Sequence, residues 1–296
     1  MRFAKIIGCG AGAALLLGLA ACGGSDTSAT PAVKDPALVK ATFATGTTMA
    51  RLQKQGSITI GIKYDQPLFG LKGLGDTPEG FDVEIAKSLA AGLGIAADKI
   101  TWVETPSKVR EEALEQKRVD LVVATYTIND QRKERVTFAG PYYVAGQDLM
   151  VEENNTTITG PQSLRAAKAK VCSGIGTAPA EKILTYIDPD QLVLFDVYSK
   201  CADALRTGTV DAVTTDNAIL LGLASQSAGK FRVLGKAFTE EPWGIGVPKG
   251  DVPFCEFVDA TLTRAAADGS YARAWDATIG TATSQDAVLP KLDPCV

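Results

Sequence analysis

The sequence predicts an α/β fold whose plan is laid down twice. Strand and helix periodicities alternate along two stretches, 57–124 and 170–214, and alternation of this kind builds a mostly parallel sheet. A chain of 296 residues is long for one compact core, so two domains of roughly 100–150 residues are expected. The two stretches also share a local pattern, set out below. Composition fits a folded protein: 46% of residues are hydrophobic and 22% charged, which argues against disorder and against a multi-span membrane protein. The formal charge of −4 offers no basic excess to neutralise phosphates, so nucleic acid is not an expected partner.

The first segment reads as targeting sequence. Arg2 and Lys5 supply a positive start, and 6–19 is apolar or small throughout, a run short for a membrane span and suited to a secretory signal. Leu19-Ala20-Ala21-Cys22 resembles the bacterial lipobox, so a signal peptide over 1–21 and lipidation of Cys22 are expected. Each buried acyl methylene stabilises anchoring by about 0.8 kcal/mol, and more than one chain on Cys22 would hold the protein at a membrane. Cleavage removes two cations and no acid, leaving the mature chain at −6, and it removes Cys9. Cys172, Cys201, Cys255 and Cys295 then remain, an even number that reads as disulfides in an exported protein, with three pairings open.

Residues 22–40 are dominated by Gly, Ser, Thr, Ala and Pro as far as Pro36 and read as a flexible tether. A short helix near 47–54 leads into 57–62, which alternates as a strand does. Residues 70–80 carry several glycines and Pro78 and make a loop or hairpin tip. Phe81, Ile85, Leu89 and Leu93 fall at helical spacing. A strand at 100–103, a helix at 107–116 and a strand at 119–124 complete the first series. The second has strands at 170–172, 193–195 and 210–214 and helices at 178–187 and 198–207.

Leu114 is followed five residues later by Val119-Asp120-Leu121, and Leu205 at the same spacing by Val210-Asp211-Ala212. Each reads as a helix end, a tight turn and a buried strand. In this register Thr125 and Asp216 are equivalent, at the carboxyl ends of their strands, where open parallel sheets bind ligands. The plainer reading is that Val-Asp is a common strand start, and the pattern alone leaves both open.

Further motifs point to a family. Thr125-Tyr126-Thr127-Ile128-Asn129-Asp130-Gln131-Arg132 leads to Phe138-Ala139-Gly140-Pro141-Tyr142-Tyr143, and Gly80-Phe81-Asp82 and Val210-Asp211-Ala212 accompany it. Together these resemble the polar-amino-acid solute-binding proteins of ABC importers, over about 57–280, and most of all the glutamate-binding lipoproteins of high-GC Gram-positive bacteria. The resemblance implies the type II periplasmic-binding fold, two α/β lobes joined by a two-strand hinge. The first lobe would comprise 41–146 and 243–296, the second 147–242, with crossing segments at 147–151 and 243–247. Ligand between the lobes would favour the closed form. This division selects Cys172–Cys201 with Cys255–Cys295, since either other pairing would staple the cleft. Each bridge should stabilise folding by about 3–4 kcal/mol.

The resemblance also assigns roles. Arg132 matches the arginine that takes the ligand's α-carboxylate, which a guanidinium holds through two parallel bonds. Asp216 matches the carboxylate for the α-ammonium group, and Thr125 and Thr127 match positions that complete the zwitterion site. Thr177 and Ala178 open a helix with Pro179 in its first turn, a start whose free amides suit a carboxylate. Lys63 and Arg110 stand where the family meets the ligand's side chain. An acidic side chain needs such partners, because an unpaired buried charge is strongly disfavoured, so glutamate is expected ahead of aspartate and glutamine. The plainer reading of Lys63 and Arg110 is solvated surface charge. Tyr126, Tyr142 and Phe69 read as core.

The expected partners are an amino acid, permease subunits with a separate ATPase, and the membrane through Cys22, the protein itself being an extracytoplasmic monomer without cofactor or metal. No Walker phosphate loop occurs. Two other readings stand beside import. One is a receptor that presents its liganded form to a membrane sensor, with the same binding chemistry. The other is a dehydratase on the same fold; the absence of histidine removes imidazole catalysis and leaves Asp65 or Asp82 as the general acid it would need.

Overall fold

The computed structural model describes residues 34–296; the signal peptide, Cys22 and 22–33 of the tether lie outside the described residues. Helix α1 (Thr48–Gln55) starts at Thr47, whose side-chain oxygen accepts from the Ala50 amide at 3.2 Å, and stops at Gly56 with φ 70°, a side-chain cap at one end and a left-handed glycine at the other. Strand β1 (Ile58–Ile62) follows, then a hairpin of β2 (Asp65–Gln66) and β3 (Gly70–Leu71). Gly80 ends the hairpin loop at φ 126°, where an added Cβ would lie 2.4 Å from the Phe69 backbone. That position admits only glycine, and α2 (Phe81–Gly92) begins directly after it.

β4 (Ile100–Glu104) leads through a 3₁₀ turn at Ser107–Val109 into α3 (Arg110–Glu115), then β5 (Leu121–Thr127), α4 (Asp130–Lys133) and β6 (Val136–Ala145). The second series runs β7 (Gln147–Glu152), β8 (Val171–Gly174), α5 (Ala178–Ile183), β9 (Leu192–Phe195), α6 (Tyr198–Arg206), β10 (Ala212–Asp216), α7 (Asn217–Ser225) and β11 (Phe231–Val233). The chain returns as β12 (Glu241–Pro248) and closes with α8 (Val252–Ala267) and α9 (Ser270–Ala277).

Two five-stranded sheets result, ordered β4-β1-β5-β12-β6 and β9-β8-β10-β7-β11. In the first, β1 is parallel to β4 and β5, and β12 is antiparallel to β5 and β6. In the second, β8 is parallel to β9 and β10, and β7 is antiparallel to β10 and β11. The sheets therefore share one plan, in which β5 and β10 hold the same place. The Leu114/Leu205 pattern in the sequence reflects this equivalence.

Several elements differ from the sequence reading. β5 and β10 run to Thr127 and Asp216, so Thr125, Thr127 and Asp216 sit on the strands themselves. The helix expected at 107–116 begins as a 3₁₀ turn, because Pro106 holds an extended backbone at its start. Helix α5 stops at Ile183, four residues short. The end of the expected tether lies along α2, with the Val39 amide bonded to the Ala91 carbonyl at 2.9 Å.

The joins between sheets are short. β6 ends at Ala145 and β7 begins at Gln147, with Gly146 between, where a Cβ would meet the Thr239 carbonyl oxygen at 2.6 Å. Cys172–Cys201 ties β8 to α6, and Cys255–Cys295 ties α8 to the C-terminal segment, with Cα separations of 5.5 and 5.9 Å. Each bridge stays with one sheet. Trp243, fully buried on β12, packs its ring on Phe69 and Tyr143, with centroids 5.1 and 4.8 Å away.

Candidate functional site

The carboxyl ends of β5 and β10 lie where the two sheets meet, bridged by Arg132 to Gly176 and by Trp243 to Asp216. Thr125 has φ 44°, an uncommon left-handed conformation for a non-glycine residue. It is held there by Asp82 of α2, whose Oδ2 accepts from the Thr125 amide at 2.9 Å while Oδ1 accepts from the Tyr142 hydroxyl at 2.8 Å. Asp82 is fully buried, and that burial pushes its carboxyl up to about 7. The Thr125 hydroxyl lies 2.9 Å from Gln66 Oε1 on the hairpin. Two residues on, the Thr127 carbonyl accepts from Arg132 Nη1 at 2.7 Å.

Three cations converge behind this strand end. Arg132 is positioned by α4, which Asn129 caps by accepting from the Arg132 amide at 2.9 Å. Its Nη2 donates across the cleft to the Gly176 carbonyl at 3.1 Å, and its Nε stands 3.5 Å from Glu111. Each terminal nitrogen keeps a second hydrogen. Arg110 opens α3, donates from Nη1 to the Ala124 carbonyl at 2.7 Å and lies 4.0 Å over the Tyr126 ring. Lys63, just past β1, donates to the Ser107 hydroxyl at 2.8 Å. Lys63 and Arg110 are each only 2% exposed, which disposes of the solvated-charge reading. Burial first, and the Arg110 and Arg132 guanidiniums beside it, bring the Lys63 ammonium down to about 7.

The other sheet contributes an anion and a helix start. Thr177 accepts from the Ala180 amide at 3.2 Å and donates to the Gly174 carbonyl at 2.8 Å, so it is an N-cap; Ala178 follows as the first residue of α5. Asp216 accepts from the Trp243 indole through Oδ2 at 2.6 Å, while its Oδ1 is buried without a partner. Burial, then the nearby Glu241 carboxylate, pushes Asp216 up to about 7.

Residues 58–280 match the family model described as bacterial extracellular solute-binding proteins, family 3. The chain belongs to this family. It is 40% identical to the glutamate-binding protein of Corynebacterium efficiens over 229 residues, 74% of this chain and 78% of that one. It is 35% identical to the ABC transporter glutamine-binding protein of Bacillus subtilis over 225 residues, 76% and 81% of the two chains. Among solved structures it resembles an ancestral arginine-binding protein bound to glutamine, with TM-score 0.70 and 30% identity over 76% of this chain and 98% of that one. This solute-binding protein has the type II periplasmic-binding fold. Among the described residues no helix is long and apolar enough to cross a membrane.

Seven buried side-chain atoms of the described part of this solute-binding protein have no hydrogen-bond partner: Asp65 Oδ1, Gln66 Nε2, Arg110 Nε, Tyr126 Oη, Gln147 Oε1, Thr215 Oγ1 and Asp216 Oδ1. Buried polar atoms are almost always paired, so the unpaired Arg110 Nε and Asp216 Oδ1 stand out among the candidate site residues. Arg132, Arg110, Lys63, Thr125, Thr127 and Asp216 come together where the sheets meet, with Thr177 beside them through its neighbour Gly176. Gln66, Thr215 and Trp243 were missed. Thr215 stood beside a named residue at a strand end, which was a usable signal; Gln66 and Trp243 gave none. Tyr126, read as core, is buried but carries one of the unpaired atoms. Both candidate acids for a dehydratase are engaged: Asp82 holds Thr125 and Tyr142, and Asp65 accepts from the Tyr198 amide through Oδ2 at 2.7 Å, with Oδ1 left unpaired.

Proposed function

We propose that this solute-binding protein is a lipid-anchored extracytoplasmic receptor that captures L-glutamate between its lobes and delivers it to an ABC importer. The observation that carries the reading is a set of buried charges: the cations Lys63, Arg110 and Arg132, and Asp216 with one unpaired oxygen. In this reading Arg132 and the Thr127 region take the α-carboxylate, with the start of α5 (Thr177 and Ala178) opposite. Asp216 Oδ1 and the Thr125 carbonyl receive the α-ammonium group. Arg110 and Lys63 then remain for a second carboxylate. Glu111 already stands 3.5 Å from Arg132 and Asp82 is held by Thr125 and Tyr142, whereas among the described residues no carboxylate lies within ion-pair distance of Lys63 or Arg110, so these two suit the second carboxylate of glutamate better than the amide of glutamine. Three buried cations repel one another, and an anionic side chain relieves that repulsion. The 40% identity to a glutamate-binding protein supports the same choice, with aspartate and glutamine next. Kinship to a component of an ABC transporter supports import through separate permease and ATPase subunits. Lipidation at Cys22, binding without turnover and a monomeric state belong to the same proposal.

Calorimetric titration of the chain beginning after Cys22, stripped of ligand by unfolding and refolding, tests this with glutamate, aspartate and glutamine. One-to-one binding with glutamate tightest is expected. A folded protein that binds none of the three, or glutamine tightest, would overturn the ligand assignment.

A further inference from the structure

Asp65 lies on the hairpin of the first lobe, yet its carboxylate is spent on the second. Its Oδ2 accepts from the Tyr198 amide at 2.7 Å and stands 3.4 Å from the Ser199 amide. These are the first two residues of α6, a nine-residue helix whose free amides and positive end favour a carboxylate. No side chain of α6 itself supplies this cap. A residue 133 positions away in the sequence, on the facing lobe, does so instead. The helix is a firm anchor, because Cys201 bonds it to β8. Beside this contact the hairpin meets a second helix of the same lobe: Gly222 of α7 lies so close to the Pro67 carbonyl oxygen that a Cβ there would sit 2.4 Å from it.

We infer that Asp65 is a closure latch, a positioning residue that retains bound amino acid by capping α6 across the cleft without touching the ligand. The contact joins lobes that must part for ligand to leave, so it acts on release. It has no part in choosing between ligands, since it involves only backbone amides of the second lobe. Charge-assisted bonds to backbone amides are among the stronger ones in proteins. Asp65→Ala should therefore speed release by about tenfold or more.

The inference rests on the receptor reading, and one experiment separates the two. Radiolabelled glutamate and glutamine are bound in turn to the wild-type protein, Asp65→Ala and Asp65→Asn, and association and chase-induced release are timed. A latch predicts faster release by the same factor for both amino acids, unchanged association, and a smaller effect for Asn, which keeps one acceptor oxygen and loses the charge. The unfolding midpoint without ligand should stay at the wild-type value, because a latch forms its contact only as the lobes close on ligand. If the wild-type protein binds and the variants release at its rate, the latch is wrong and the receptor reading stands. A factor that differs between glutamate and glutamine also overturns it, and makes Asp65 a ligand contact. If the wild-type protein binds neither, the receptor reading falls and the retention role falls with it.

Discussion

At Lys63 burial and two neighbouring guanidiniums bring the ammonium down to about 7, and at Asp216 burial and Glu241 push the carboxyl up to about 7. In the proposed site both groups are charged when glutamate is held, and they respond to pH in opposite senses. Below about 7 Asp216 gains a proton and loses its hold on the α-ammonium, which weakens every amino-acid ligand. Above about 7 Lys63 loses its proton, which weakens only a ligand with a side-chain carboxylate. Titrations between pH 5.5 and 8.5 should therefore show a bell-shaped glutamate affinity and a glutamine affinity that only rises to a plateau. A glutamate-to-glutamine ratio that stays constant above pH 7 would remove Lys63 from the side-chain site. Arg132→Lys should cost about 30-fold or more in affinity for all ligands, since the fork to the α-carboxylate is lost. Arg110→Ala should narrow the preference for glutamate over glutamine by about tenfold. Both changes are read by the same calorimetry. At this scale a charge or a strand end in the sequence marked positions that are buried in the structure, as at Arg132 and Asp216. The sequence was silent at Gln66 and Trp243, whose roles arise from a hairpin and a returning strand that local pattern does not bring together.

The elements were legible where periodicity was strong. α1, β1 and α2 follow from capping and spacing, whereas the two-residue strands of the β2–β3 hairpin are too short to show any period. The carboxyl ends of β5 and β10 were read two to three residues early, because their last residues are polar and look like loop. Those polar residues belong to the proposed site, so the early strand ends and the proposed function share a cause. Asp82 shows how one element serves another: from α2 it fixes the left-handed Thr125 on β5. Asp82→Ala leaves the Thr125 amide and the Tyr142 hydroxyl without their acceptor and should destabilise the protein by about 2–4 kcal/mol in urea unfolding. The C-terminal segment is held by the Asp293 amide on the Gly140 carbonyl at 2.7 Å and by Cys255–Cys295. Cys295→Ser should lower unfolding free energy by about 3–4 kcal/mol while leaving glutamate affinity within twofold, because the bridge lies outside the cleft.

Across the whole molecule the repeated sheet plan gives the local sequence similarity its structural cause. The strand-end rule applies to each sheet separately, and a ligand between them is met by both at once. Contacts between the two sheets' halves include Arg132 to Gly176, Asp65 to α6, Pro67 to Gly222, and the Trp243 indole to Asp216. The last has a practical consequence. Trp243 is a natural fluorophore bonded to the group proposed to receive the ligand's ammonium, so arrival of an amino acid should change its emission. With Trp102 and Trp275 replaced by phenylalanine, the protein would become a dye-free optical sensor whose single emitter reads occupancy in real time.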